Sequence, residues 1–288
     1  EPNLHFENPG VFDAINEISM MIHELDGNHP TTTALAGIDA GLAELIDQRS
    51  PDLDFVSIQM YGDIINLPGY IEEMNFDKPY MVTEWGAIGH WEMPQTSWGA
   101  PIEQTSSEKA ANSLKSYRTA IESDRQRVLG SYVFLWGQKQ ERTPTWYGML
   151  LEDGSSTEAV DVMQFVWTGA WPENRSPAIE SFHLDSANAH QNVTLNAGEV
   201  VPAEVKAKDP DGDELRYSWQ VMAESEATES GGDREAVPQQ IPGLVEATGA
   251  GQARVKAPTT PGAYRLFVYV HDGNGQAGHA NIPFLVKQ

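Results

Sequence analysis

A glutamate closes one of the most strand-like segments of this chain. Pro79-Tyr80-Met81-Val82-Thr83 is rich in β-branched and aromatic residues, and Glu84-Trp85-Gly86 then ends it at a glycine. Carboxyl groups hydrolyse glycosidic bonds in pairs, a nucleophile and an acid/base about 5 Å apart in a retaining enzyme. On a parallel β/α barrel such groups stand at the C-terminal strand ends, where side chains enter the mouth. A carboxylate after an apolar strand is expensive to bury unpartnered, so Glu84 is either a chemical group or half of a structural ion pair. The following loop carries His90, Trp91 and Trp98, and Trp146-Tyr147 come later. Such aromatics suit sugar subsites, where a ring face meets the apolar C–H face of a pyranose, and they would equally suit a core. Gln59 and Gln138 are candidates for binding sugar hydroxyls.

The elements that would position these residues alternate between helix and strand from Val11 to about Trp167. Val11, Ile15, Ile18, Ile22 and Leu25 recur at helical spacing after the turn-forming Asn8-Pro9-Gly10. Strands are expected at 31–36, 54–61, 79–86 and 129–136. Helices are expected near 42–46, 70–74, 110–121 and 157–166. Strands alternating with helices imply βα units and a parallel sheet. A closed eight-stranded barrel takes roughly 250 residues, and only about 170 precede a change of composition.

Lys78-Pro79-Tyr80-Met81-Val82-Thr83-Glu84-Trp85-Gly86 resembles the seventh-strand motif of TIM-barrel retaining glycosidases, above all glycoside hydrolase family 2. The resemblance covers roughly residues 1–170 and implies the C-terminal half of a (β/α)8 barrel, strands five to eight, with Glu84 as nucleophile. The family's acid/base glutamate ends strand four, typically within Asn-Glu-Pro. The chain opens Glu1-Pro2-Asn3, so the resemblance implies Glu1 as acid/base. From Glu1 to Glu84 is 83 residues, about 28 for each of three βα units, against roughly 31 in a typical barrel. Tyr61 stands where the family often puts an aromatic hydroxyl near the nucleophile, and Trp136 where it often puts a sugar-stacking platform. Tyr61, Trp136, His90, Trp91 and Gln59 thus form the expected substrate-binding set. The parallel edge that four strands leave exposed is expected to be completed by an N-terminal half of the barrel from the same protein.

The stretch 171–177, with two prolines among polar residues, reads as a linker between a domain at 1–170 and another at 178–288. Beyond it the helical period gives way to short alternating strands at 200–206, 215–221, 252–255, 264–270 and 282–286, the rhythm of an immunoglobulin-like β-sandwich. The tract 224–233, rich in Glu, Ser and Gly, reads as a mobile loop. Asp209-Pro210-Asp211-Gly212-Asp213 resembles loops of cadherin-like and polycystic-kidney-disease-type domains. The alternating carboxylates of Asp209, Asp211 and Asp213 form a hard-oxygen cluster able to hold a structural Ca²⁺, with Asp272 and Asn274 as further donors. Asp, Pro and Gly are also ordinary turn formers.

The net charge of −24 over 288 residues repels phosphate backbones and anionic lipid, which argues against nucleic-acid or membrane partners. It suits a neutral oligo- or polysaccharide. There is no cysteine, hence no disulfide and no thiolate metal site. Retaining hydrolysis needs no cofactor, and an extracellular or periplasmic location is expected. The alternative is a non-catalytic carbohydrate-binding or scaffold protein.

Overall fold

The computed structural model describes residues 1–5, 8–227 and 234–288. The expected loop at 224–233 lies in part, at 228–233, outside the described residues. By contact density the chain forms two compact units, Glu1–Gly86 with Lys115–Phe134, and Ala87–Leu114 with Leu135–Gln288.

The first unit is an α/β structure. Helix α1 (Gly10–Leu25) precedes β1 (Ala34–Ala36), α2 (Ala40–Arg49), β2 (Val56–Gln59), α3 (Leu67–Glu73) and β3 (Tyr80–Gly86). Helix α4 (Ser106–Ser116) lies in the second unit up to Leu114, and its continuation, a π-helix at Tyr117–Glu122, leads back into the first unit at β4 (Val128–Phe134). The strands form one parallel sheet in the order β1-β2-β3-β4. Alternate residues of β1, β2 and β3 are fully buried: Leu35, Val56, Ile58, Tyr80 and Val82. Leu42 and Ile46 of α2 and Leu67 and Ile71 of α3 are buried as well. The Asp39 carboxylate caps α2 by accepting from Leu42 N at 2.8 Å. Helix α1 turns a different stripe inward from the expected one. Phe12 and Ser19 are buried while Ile18 and Leu25 are exposed, because the Ser19 hydroxyl finds partners in Thr31 Oγ1 and the Asp52 carbonyl.

The expected barrel half is not what the chain forms. The sheet is open, and among the described residues β1 pairs only with β2 and β4 only with β3. The free side of β1 is met by a side chain instead of a strand. Asn3, in the 3₁₀ turn Pro2–His5, donates Nδ2–H to Ala36 O at 2.8 Å and accepts from Ala36 N at 3.0 Å. Alternation of strand and helix specifies a parallel α/β sheet. Closure additionally needs a shear and a pairing of first with last strand, neither of which is written in local pattern.

The second unit contains α5 (Glu158–Thr168), ended by Gly169 in the left-handed conformation at φ +78°, and a β-sandwich. One sheet has the order β5-β7-β10-β9: β5 Ala178–Leu184, β7 Val200–Lys208, β10 Gln252–Lys256, β9 Val245–Gly249. The other has the order β6-β12-β11-β8: β6 Thr194–Asn196, β12 Ala277–Lys287, β11 Gly262–His271, β8 Arg216–Ala223. Inward residues of both sheets share one core, including Phe182, Leu184, Val205, Val255, Leu266, Val268, Ile282 and Phe284. Alternation is clean on β7 and β10. On β12 nearly every residue is buried, because the segment around 101–109 covers the sheet's outer face: His279 N donates to Ser106 Oγ and Asn281 Nδ2 to Glu103. The sandwich strands begin directly after 171–177, whereas the compact unit also takes in 87–114 and 135–170.

Candidate active site

Parallel strands end together at one edge of their sheet, and ligands of open α/β sheets bind beyond that edge. In the first unit this edge carries Ala36, Gln59, Glu84 and Phe134. Strand β3 bulges at Glu84. Its register skips between Val82 and Glu84 against β2, and between Val82 and Trp85 against β4. Bulges re-aim side chains and gather at active sites. Here the half-buried Glu84 carboxylate accepts a hydrogen bond from the Tyr61 phenol, two residues past the end of β2. The backbone locks the same pair of strands, with Met60 N donating to Glu84 O at 2.9 Å. Phe134, at the end of β4, meets the Tyr61 ring edge-on at 6.2 Å. Gly86 leaves no room for a side chain: a Cβ there would lie 2.2 Å from Phe134 O.

Three buried polar atoms on the chain and cross-strand neighbours of Glu84 have no hydrogen-bond partner: Gln59 Oε1, Thr83 Oγ1 and Trp85 Nε1. Orphaned buried polar atoms are uncommon and each costs about 1–3 kcal/mol.

The other expected site residues divide. Glu1 is exposed and begins the turn that Asn3 fastens outside β1. It therefore stands three strand positions from Glu84, roughly 14 Å along a flat sheet. Trp136 is 51% exposed and faces Trp167 at 6.0 Å. His90 is buried, with Nε2 at 3.4 Å from Glu141 Oε1, and Trp91 lies edge-on to it at 5.0 Å, half exposed. Trp146 and Tyr147 are buried core residues of the second unit. Trp146 Nε1 donates to Ile88 O at 2.9 Å, and the Tyr147 hydroxyl accepts from His90 N at 3.2 Å. Gln138 spends its amide on Pro144 O at 2.9 Å. Phe134, Thr83 and Trp85 escaped the sequence reading, although Phe134 closes a strand just as Glu84 does.

The carboxylates of the sandwich gather in a different set from the expected one. Oxygens of Asp209, Asp213 and Asp272 lie within 4.8 Å of one another, whereas Asp211 is exposed and accepts from Arg175 N at 2.7 Å. Asp209 Oδ1 takes the backbone N–H groups of Asp211, Gly212 and Asp213 at 2.9, 2.8 and 3.0 Å. Its Oδ2 is buried without a partner. Oxygens so spaced can each reach a Ca²⁺ held at about 2.3–2.6 Å. Asn274 Nδ2 bonds Asp213 Oδ2 at 2.8 Å and Asn174 Nδ2 bonds Asp272 Oδ2 at 2.6 Å. A flip of either amide would present another oxygen to the cation.

No protein-family model and no curated protein matches the chain. Among solved structures it is similar to a nucleoside hydrolase-related hypothetical protein from Saccharophagus degradans associated with carbohydrate metabolism. That match has 14% identity and a TM-score of 0.31, covering 95% of this chain and 75% of that one. The PKD1 domain of Vibrio anguillarum Epp matches at 16% identity and TM-score 0.21, over 40% of this chain and 98% of that one. PcoC, a methionine-rich copper resistance protein from Escherichia coli, matches at 15% identity and TM-score 0.24, over 39% of this chain and 99% of that one. Likeness at this level carries no argument about what the chain does. No helix among the described residues is long and apolar enough to cross a membrane.

Proposed function

We propose that the protein is a retaining glycoside hydrolase acting on a β-linked glycan, with Glu84 as nucleophile. The observation that carries this is the Glu84–Tyr61 pair at a bulged strand end. A glutamate held by a phenol keeps its orientation while its second oxygen attacks the anomeric carbon. That attack breaks the glycosidic C–O bond, the leaving oxygen takes a proton from an acid, and a glycosyl ester on Glu84 remains. Water, deprotonated by the same group, then attacks the anomeric carbon and frees Glu84. Glu1 fills the acid/base role in this scheme. Gln59 is the proposed sugar contact beside Glu84, whereas the expected contacts Trp136, His90 and Trp91 belong to the second unit. A glycan too large to cross a membrane places the protein outside the cytoplasm, and Asp209, Asp213 and Asp272 hold a structural Ca²⁺. Turnover of a panel of aryl β-glycosides tests the reading: Glu84→Gln should abolish hydrolysis that the parent protein performs. Equal rates in the two proteins, or none in the parent, overturn it.

A further inference from the structure

The second unit contains a cavity of about 500 Å³ that shares no residue with the Glu84 edge. It is lined by the loop after β3, by Arg142, and by sandwich segments 223–227 and 261–264. Two polar nitrogens in its wall have no hydrogen-bond partner. His90, 5% exposed, keeps Nε2 buried without a hydrogen bond, its approach to Glu141 at 3.4 Å lacking the geometry for one. Trp98 Nε1, buried on a half-exposed indole, is likewise unpaired. A desolvated N–H left open in a cavity wall finds its acceptor when a ligand arrives.

The rest of the wall indicates what kind of ligand that is. The exposed amide of Gln95 offers a donor and an acceptor, and Glu226 offers a carboxylate. Charges of both signs are present, and Glu224 is already neutralised by Arg265 at 2.7 Å. An indole, a tyrosine ring and mixed donors and acceptors match a ligand with apolar faces and hydroxyls that both give and accept hydrogen bonds. The chain's charge of −24 disfavours an anionic ligand. We propose that this cavity, centred on His90, Trp98 and Gln95, is a second carbohydrate-binding site that takes a neutral oligosaccharide.

The test is titration calorimetry with cellotetraose, xylotetraose, laminaritetraose and β-1,4-galactotetraose at millimolar concentration. Trigalacturonate and a tryptic peptide mixture serve as charged and non-sugar probes. At least one neutral tetraose should bind the parent protein, and Trp98→Ala and the surface change Gln95→Ala should each weaken it tenfold or more. Glu84→Gln should leave that binding unchanged. Binding of no tetraose, binding indifferent to both substitutions, or preference for the uronide or the peptides would each overturn the proposal. Loss of hydrolysis with binding intact would count against the proposed enzyme alone, and hydrolysis without this binding against the second site alone.

Discussion

The phenol of Tyr61 donates its hydrogen bond to Glu84 Oε1, joining the end of β2 to the bulge of β3. Hydrogen bonds to charged groups contribute about 1.5–3 kcal/mol. If that bond orients an attacking carboxylate, Tyr61→Phe lowers kcat about 10- to 100-fold with little change in KM. Michaelis kinetics on an aryl glycoside measure the split. A purely structural bond would shift the melting temperature and leave kcat intact.

Gly86 tests the strand end itself. Its missing Cβ would sit 2.2 Å from Phe134 O, and backbone cannot yield there without parting β3 from β4. Gly86→Ala should destabilise the protein by about 1–3 kcal/mol, read as a lower midpoint in urea. It should also slow hydrolysis by displacing Glu84 and Phe134 together.

Local pattern carried the order of elements, because helix and strand periods and turn residues act over a few positions. Three of the parallel strands fall within the expected segments and β4 begins one residue early; β7, β8, β10 and β11 match in large part, while β12 begins five residues before its expected start. The short β6 and the polar β9, five residues of which four are exposed, gave no periodic signal. Barrel closure was misread because it depends on pairing between distant strands. Glu84 and Tyr61 were legible because strand ends are. Trp146 and Tyr147 looked like subsites because an aromatic in a loop and an aromatic in a core have the same sequence. Asp272 replaces Asp211 in the carboxylate group because β11 brings its following turn beside the Asp209 turn, a contact between positions 63 residues apart.

Two buried carboxyls set opposite pH limits. Burial would raise the Glu103 carboxyl, but the Lys109 ammonium, with His279 and the Thr143 hydroxyl, pulls it down to about 2. Its contribution is present above the ordinary 4.5 and disappears as pH falls through about 2. Burial, reinforced by Asp161, pushes Glu158 up to about 7 against its hydrogen bond from Ser107. That contribution is complete below 4.5 and disappears as pH rises through about 7. Urea unfolding across pH should therefore show stability highest between these limits. Glu158→Gln should flatten the decline towards pH 7, while Glu103→Gln, which strands a buried ammonium, should cost about 3–5 kcal/mol at neutral pH.

Calcium at Asp209, Asp213 and Asp272 should raise the unfolding midpoint of the sandwich, by about 2.7 kcal/mol at a hundredfold excess over Kd. Chelation should reverse the gain. Asp209→Asn should remove it, whereas Asp211→Asn, outside the cluster, should retain it. A midpoint that ignores calcium in the parent protein would rule the site out.

Covalent trapping tests Glu84 most directly. Incubation with 2,4-dinitrophenyl 2-deoxy-2-fluoro-β-glycosides, followed by intact-mass measurement and peptide mapping, should show one glycosyl adduct on the peptide carrying Glu84. Glu84→Gln should show none. An adduct on any other carboxylate, or turnover of the matching substrate without an adduct, would contradict Glu84 as the nucleophile.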